Sequence, residues 1–93
     1  MIYQGVVHIE TIQDGKSAGR YARFTLPNGE DYILYRPNEY PANDAFFYPY
    51  DTLQAEVEGE MEKELGYICV RQIQRIECQN ENNINQYLLA ELI

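Results

Sequence analysis

The chain has 93 residues, 45% hydrophobic and 24% charged, with a net charge of −8 from fifteen acidic against seven basic residues. This is the composition of one folded domain rather than a disordered tail, and the acidic balance argues against affinity gained by neutralising many phosphates. No apolar run approaches the roughly 20 residues that span a bilayer, and the start MIYQGVVHIE has neither the basic opening nor the cleavage site of a secretory signal, so the expectation is a soluble, cytoplasmic protein.

Residues 2–12, IYQGVVHIETI, mix β-branched and alternating polar residues and predict a first strand with a bulge at Gly5. QDGKSAG, 13–19, is rich in turn formers and predicts a loop. In RYARFTL, 20–26, Ala22, Phe24 and Leu26 share one face while Tyr21, Arg23 and Thr25 share the other, which predicts a half-buried strand. PNGE then signals a tight hairpin, and DYILYR, 31–36, is the returning strand. A two-residue loop pairs Phe24 with Ile33 and a three-residue loop pairs it with Leu34, so the inward face of this strand stays open.

The next segment is different. YRPNEYPANDAFFYPYD, residues 35–51, holds six of the twelve aromatics and three of the four prolines, which bar an ordinary helix or strand. TLQAEVEGE, 52–60, alternates cleanly, with Leu53, Ala55 and Val57 inward and Gln54, Glu56, Glu58 and Glu60 toward water. MEKELG turns the chain into YICVRQIQRIEC, 67–78, where Ile68 and Val70 share a parity that Ile73 breaks, so a bulge is expected near Arg71–Gln72. Residues 80–93 predict a polar linker and a helix over 84–93 capped by Asn82 or Asn83, with Ile84, Leu88 and Leu92 in its apolar stripe. Residues 1–79 and this tail form a single domain.

Cys69 and Cys78 lie nine residues apart in one predicted strand, so their Cα atoms are on the order of 30 Å apart, far beyond the roughly 4.4–6.8 Å of a disulfide. Free thiols are expected, Cys69 in the core and Cys78 at a strand end. His8 is the single histidine and no CxxC occurs, so neither a metal site nor a cofactor is expected.

Five short strands with glycine-marked turns predict a mostly β protein, a small closed barrel. The order of three strands, a connector and two more resembles the OB-fold. The likeness rests on Gly5 within a long first strand, on the hairpin FTLPNGEDYIL, and on DTLQAEVEGEMEKELGYICV with Gly59 and Gly66. It covers residues 2–77. The family's connector usually contains a helix that caps the end of the barrel; here Pro37, Pro41 and Pro49 leave only ANDAFF for a helical turn.

The resemblance makes Phe46 and Phe47 the plugs of the barrel's open end. Tyr40, Tyr48 and Tyr50, whose hydroxyls resist burial, become a contact surface on a proline-stiffened loop. The terminal helix is marginal alone, so Ile84, Leu88 and Leu92 must dock on the barrel, on a partner or on a second copy. QYLLAELI also resembles the sliding-clamp-binding box at Gln86, Leu89, Leu92 and Ile93, although that family has aromatics at the last two positions. The expected function is therefore non-catalytic: an accessory module binding another protein or itself. The alternative is single-stranded nucleic-acid binding through Tyr21, Arg23 and Arg36, with Arg20 and Lys16 toward the first loop, as the OB resemblance implies. A third reading takes Glu56, Glu58, Glu60, Glu62 and Glu64, spaced by ~6.6–7 Å along a strand, as a mimic of nucleic-acid phosphates. Catalysis is not expected, because His8 sits mid-strand without a nucleophile and Glu30–Asp31 are turn charges.

Overall fold

The computed structural model describes residues 1–15 and 17–76, most of which belong to one sheet of five strands. These are β1 (Ile2–Asp14), β2 (Ser17–Thr25), β3 (Asp31–Tyr35), β4 (Gln54–Glu62) and β5 (Tyr67–Arg75). A 3-10 helix, Ala45–Tyr50, interrupts the connector between β3 and β4. Hydrogen-bonded neighbours run β1–β2–β3–β5–β4, and β4 pairs again with β1, so the ladder closes on itself. Every pairing is antiparallel except β3 with β5.

Closure depends on β1 serving two partners, β4 along residues 2–6 and β2 along residues 6–14. The loop expected over 13–19 is mostly strand, because Asp14 pairs with Ser17 and the chain reverses next to Gly15 at φ +60°. Gly5 carries no bulge, since its register against β4 runs without a shift. It marks instead the place where β1 leaves β4 for β2, and a Cβ there would lie 2.4 Å from the Thr25 carbonyl oxygen. A close backbone approach, not an inserted residue, is what demands glycine. The bulge expected near Arg71 is present: Glu58 faces Gln72 and Gly59 faces Val70, which leaves Arg71 as the extra residue.

In the second hairpin, Leu26 N–H donates to the Glu30 carbonyl and Gly29 N–H to that of Leu26, enclosing the three-residue loop Pro27–Asn28–Gly29 with Gly29 at φ +90°. The loop begins one residue earlier than the expected three-residue register. Phe24 consequently faces Tyr32, and Ala22 faces Leu34. Tyr32 and Leu34 are both buried, which fixes the inward face of β3.

The six largest fully buried side chains are Val7, Phe24, Leu34, Val57 and Ile68, one from each strand, and Phe47 from the connector. Cys69 is not in the core: the alternation that buries Ile68 and Val70 turns it outward, where it is half-buried and free. Phe46 is a second correction, since it is 42% exposed while Phe47 is 1% exposed. With about three residues per turn, neighbours on a 3-10 helix point roughly 120° apart, so only one of the two can enter the same cavity. The predicted terminal helix with Ile84, Leu88 and Leu92, the clamp-box residues, Cys78 and Lys16 lie outside the described residues. Among the described residues no helix is long and apolar enough to cross a membrane.

Phe47→Ala should lower unfolding free energy by about 3–5 kcal/mol. Phe46→Ala, which loses two ring–ring contacts and one cation–ring contact, should lower it by about 1–2 kcal/mol. Urea titrations of the two variants check the ranking.

Candidate functional site

The connector takes its shape from Asp44, whose side chain is 7% exposed. Its two carboxylate oxygens accept from Arg36 Nε and Nη2, each at 2.8 Å, in a bidentate pair that ties the end of β3 to the start of the 3-10 helix. Asp44 also caps that helix by accepting from the Phe46 backbone N–H at 3.1 Å. The Arg36 contact, helped by the Phe46 N–H, holds the Asp44 carboxyl below the usual carboxylate range although burial opposes it. Asp44 in turn raises the Arg36 pKa. The guanidinium lies 4.4 Å from the centre of the Phe46 ring, so the salt bridge also positions that ring.

Two further clips hold the connector to the edges of the first hairpin. Asn43, at φ +63°, donates its N–H to the Arg20 carbonyl at 2.7 Å and accepts the Arg20 N–H on Oδ1 at 2.9 Å, taking the place of a neighbouring strand. On the opposite edge, Asp51 Oδ1 accepts from Ile9 N–H at 2.8 Å, and Val7 exchanges backbone hydrogen bonds with Thr52 and Leu53. Backbone groups left bare by the closing sheet are thereby satisfied.

This fastening presents the rings unequally. Tyr40 is 85% exposed. Tyr48 is half-buried with the Arg20 guanidinium 5.9 Å from its ring centre. Tyr50 packs against the core and lies 6.4 Å from Phe46. The connector's outward rings are thus Tyr40, Phe46 and, in part, Tyr48, with Arg36 against Phe46 and Arg20 against Tyr48, while Tyr50 packs on the core. Phe46 was missed as a surface residue by sequence reasoning, and the three-residue helical turn was its signal; Arg20 was expected toward the first loop, and its place against the Tyr48 ring was not.

Tyr21 and Arg23 do share the outer face of β2, opposite Glu10 and His8 of β1. Arg23, however, pairs with Glu10 at 2.7 Å and approaches Asp31 at 3.9 Å, while Arg36 is held by Asp44. The glutamate row is also partly engaged. Glu56 accepts from Gln74 and Gln4, Glu60 pairs with Arg71, and Glu62 accepts the Tyr35 hydroxyl. That last contact, followed by burial and the nearby Cys69, pushes the Tyr35 hydroxyl well above its ordinary pKa. The register shift after Glu58 places its extra residue, Arg71, on β5, so the row on β4 keeps its alternation.

An open cleft of about 550 Å³ lies on the outer face where β1 changes partner, lined by Val6, His8, Arg23, Leu26, Pro27 and Ile76 among others. Its hydroxyl, Thr25 Oγ1, is committed to Asp31. Among the described residues no group of three His, Cys, Asp or Glu could hold a metal ion.

Asp44→Asn should cost about 2 kcal/mol at pH 7, from the charged pair and the weakened cap. Because the folded carboxyl has the lower pKa, its contribution is complete above about pH 4 and fades as pH falls through the folded value. The stability gap between wild type and variant should therefore narrow on going from pH 7 to pH 3, as denaturant titrations at both values would show. Compared with known proteins, the chain has no significant match to a family model, a curated protein or a solved structure.

Proposed function

We propose that the closed sheet is an OB-like barrel and that it works as a non-catalytic interaction module, docking another protein on the connector's aromatic ridge. The parallel pairing of β3 with β5, which carries the last hairpin across to meet β1, supports the OB-like assignment, since that fold is a five-stranded Greek-key barrel. The docking reading is carried by one observation: Tyr40, 85% exposed, stands on a loop already fastened by Asn43 and Asp44. A ring held out on a pre-ordered loop loses little conformational freedom when a partner covers it. Tyrosine and arginine are also the residue types that concentrate binding energy in protein interfaces.

Nucleic acid fits less well. The cations that reading needs, Arg23 and Arg36, are already matched by Glu10, Asp31 and Asp44. A cytoplasmic setting suits the free thiol of Cys69. Ile84, Leu88 and Leu92 are proposed as a further anchor set, toward the same partner or a second copy.

The test is retention of a partner on immobilised protein, followed by calorimetry with the purified partner. Tyr40→Ala combined with Tyr48→Ala should weaken affinity by about 2 kcal/mol or more, roughly thirtyfold, while shifting unfolding by less than about 1 kcal/mol. Unchanged affinity would refute the ridge as the contact surface. Micromolar binding of a labelled oligonucleotide at low salt, abolished by Arg23→Ala, would replace this reading with the nucleic-acid one.

A further inference from the structure

The cleft where β1 changes partner is lined by none of the connector's residues and so is separate from the aromatic ridge. Val6, Leu26 and Ile76 stand half-buried in its wall, an apolar surface on the outer side of the sheet, with about 550 Å³ open beside them. Ile76 is where the chain leaves β5. Its N–H donates at 2.8 Å to the carbonyl of Gln54, which also lines the cleft. Residues 77–93 therefore start from the cleft wall.

The seven residues 77–83 separate Ile76 from Ile84 and reach at most about 25 Å, enough to bring 84–93 back over the open side. In that segment Ile84, Leu88 and Leu92 recur at helical spacing, along about 12 Å of helix. A helix this short persists only when its apolar stripe is covered.

Charge decides which surface covers it. Residues 77–93 contain Glu77, Glu81 and Glu91 and no lysine or arginine. Other hollows among the described residues are edged with glutamates: Glu56 and Glu58 at one, Glu60 at a second, Glu60 and Glu62 at a third. The lining of the β1 cleft has no carboxylate; its polar members are Gln4, Gln54, Thr25, His8 and Arg23. An acidic segment meets like charge at the first three and none in this lining. The short tether also holds 84–93 near the cleft at an effective concentration of about millimolar, which favours it over a second copy or a free partner at micromolar concentration.

We propose that residues 84–93 dock as a helix in this cleft of their own barrel, with Ile84, Leu88 and Leu92 against Val6, Leu26 and Ile76. Seated there, the three side chains are withheld from a partner or a second copy until it displaces them. The assignment does not depend on the aromatic ridge and survives its failure.

The test is NMR of the full chain labelled at its Ile, Leu and Val methyl groups. The Leu88 and Leu92 methyls should give NOEs to those of Val6, Leu26 and Ile76, and isotope-filtered spectra of mixed labelled and unlabelled protein should show none between copies. Val6→Glu, which puts a carboxylate into the cleft from outside the core cluster, should remove these NOEs and speed hydrogen exchange of amides 88–93 about tenfold or more. Leu88→Asp combined with Leu92→Asp leaves every barrel residue in place. It should shift the amides of Val6, His8, Arg23 and Leu26, and it decides the matter if the glutamate variant loses its folded spectrum. The proposal is overturned by the absence of tail-to-cleft NOEs in the wild type, by NOEs between copies, or by cleft amides that stay unmoved in the aspartate variant.

Discussion

Among the described residues the five-stranded sheet has no second layer to pack on, so its apolar face is hidden by the sheet rolling onto itself. β1 makes that possible by holding β4 with its first residues and β2 with the rest. The change of partner falls beside Gly5, where the Thr25 carbonyl occupies the space of a side chain. Gly59 meets the same condition on β4, since a Cβ there would lie 2.0 Å from the Cys69 carbonyl oxygen. The core depends on these two approaches, because Val7, Phe24, Leu34, Val57 and Ile68 face one another only in the rolled form.

Rolling leaves an opening and unpaired strand edges, and the connector deals with both. Phe47 fills the opening. Asn43 and Asp51 engage the two edges of the first hairpin. The prolines that bar an ordinary helix or strand here also limit the freedom the segment loses on folding. Asp44 links these functions, since one carboxylate caps the helix that seats Phe47 and holds the arginine beneath Phe46. Exposed rings on such a segment are a consequence of how the sheet is closed: the helix that turns one phenylalanine inward must turn its neighbour out.

Charge follows a similar economy. Of the chain's few cations, Arg23, Arg36 and Arg71 each pair with carboxylates, and Arg20 sits against Tyr48. Among the described residues, Glu56, Glu58, Glu60 and Glu62 place negative charge along one face of β4.

Much of this was legible in the chain. Five strands in the expected order, the alternation that buries Ala22 with Phe24 and Ala55 with Val57, and the bulge betrayed by Ile73 follow the pattern of residues, although β1 and β2 extend into the expected loop 13–19. The hairpin register was not legible, because Pro-Asn-Gly accommodates loops that differ by one residue and the choice rests on what Tyr32 and Leu34 meet inside. Nor was the division of labour between Phe46 and Phe47, or the burial of Asp44 under Arg36. Alternation is a property of neighbours in the chain, so the sequence alone determined which residues of β2 and β4 turn inward, whereas Cys69 of β5, expected in the core, turns outward. Which side chains meet, which ring is left in water and where the Arg23 cleft opens were decided only by the tertiary structure, because those contacts join segments that are brought together when β4 closes on β1.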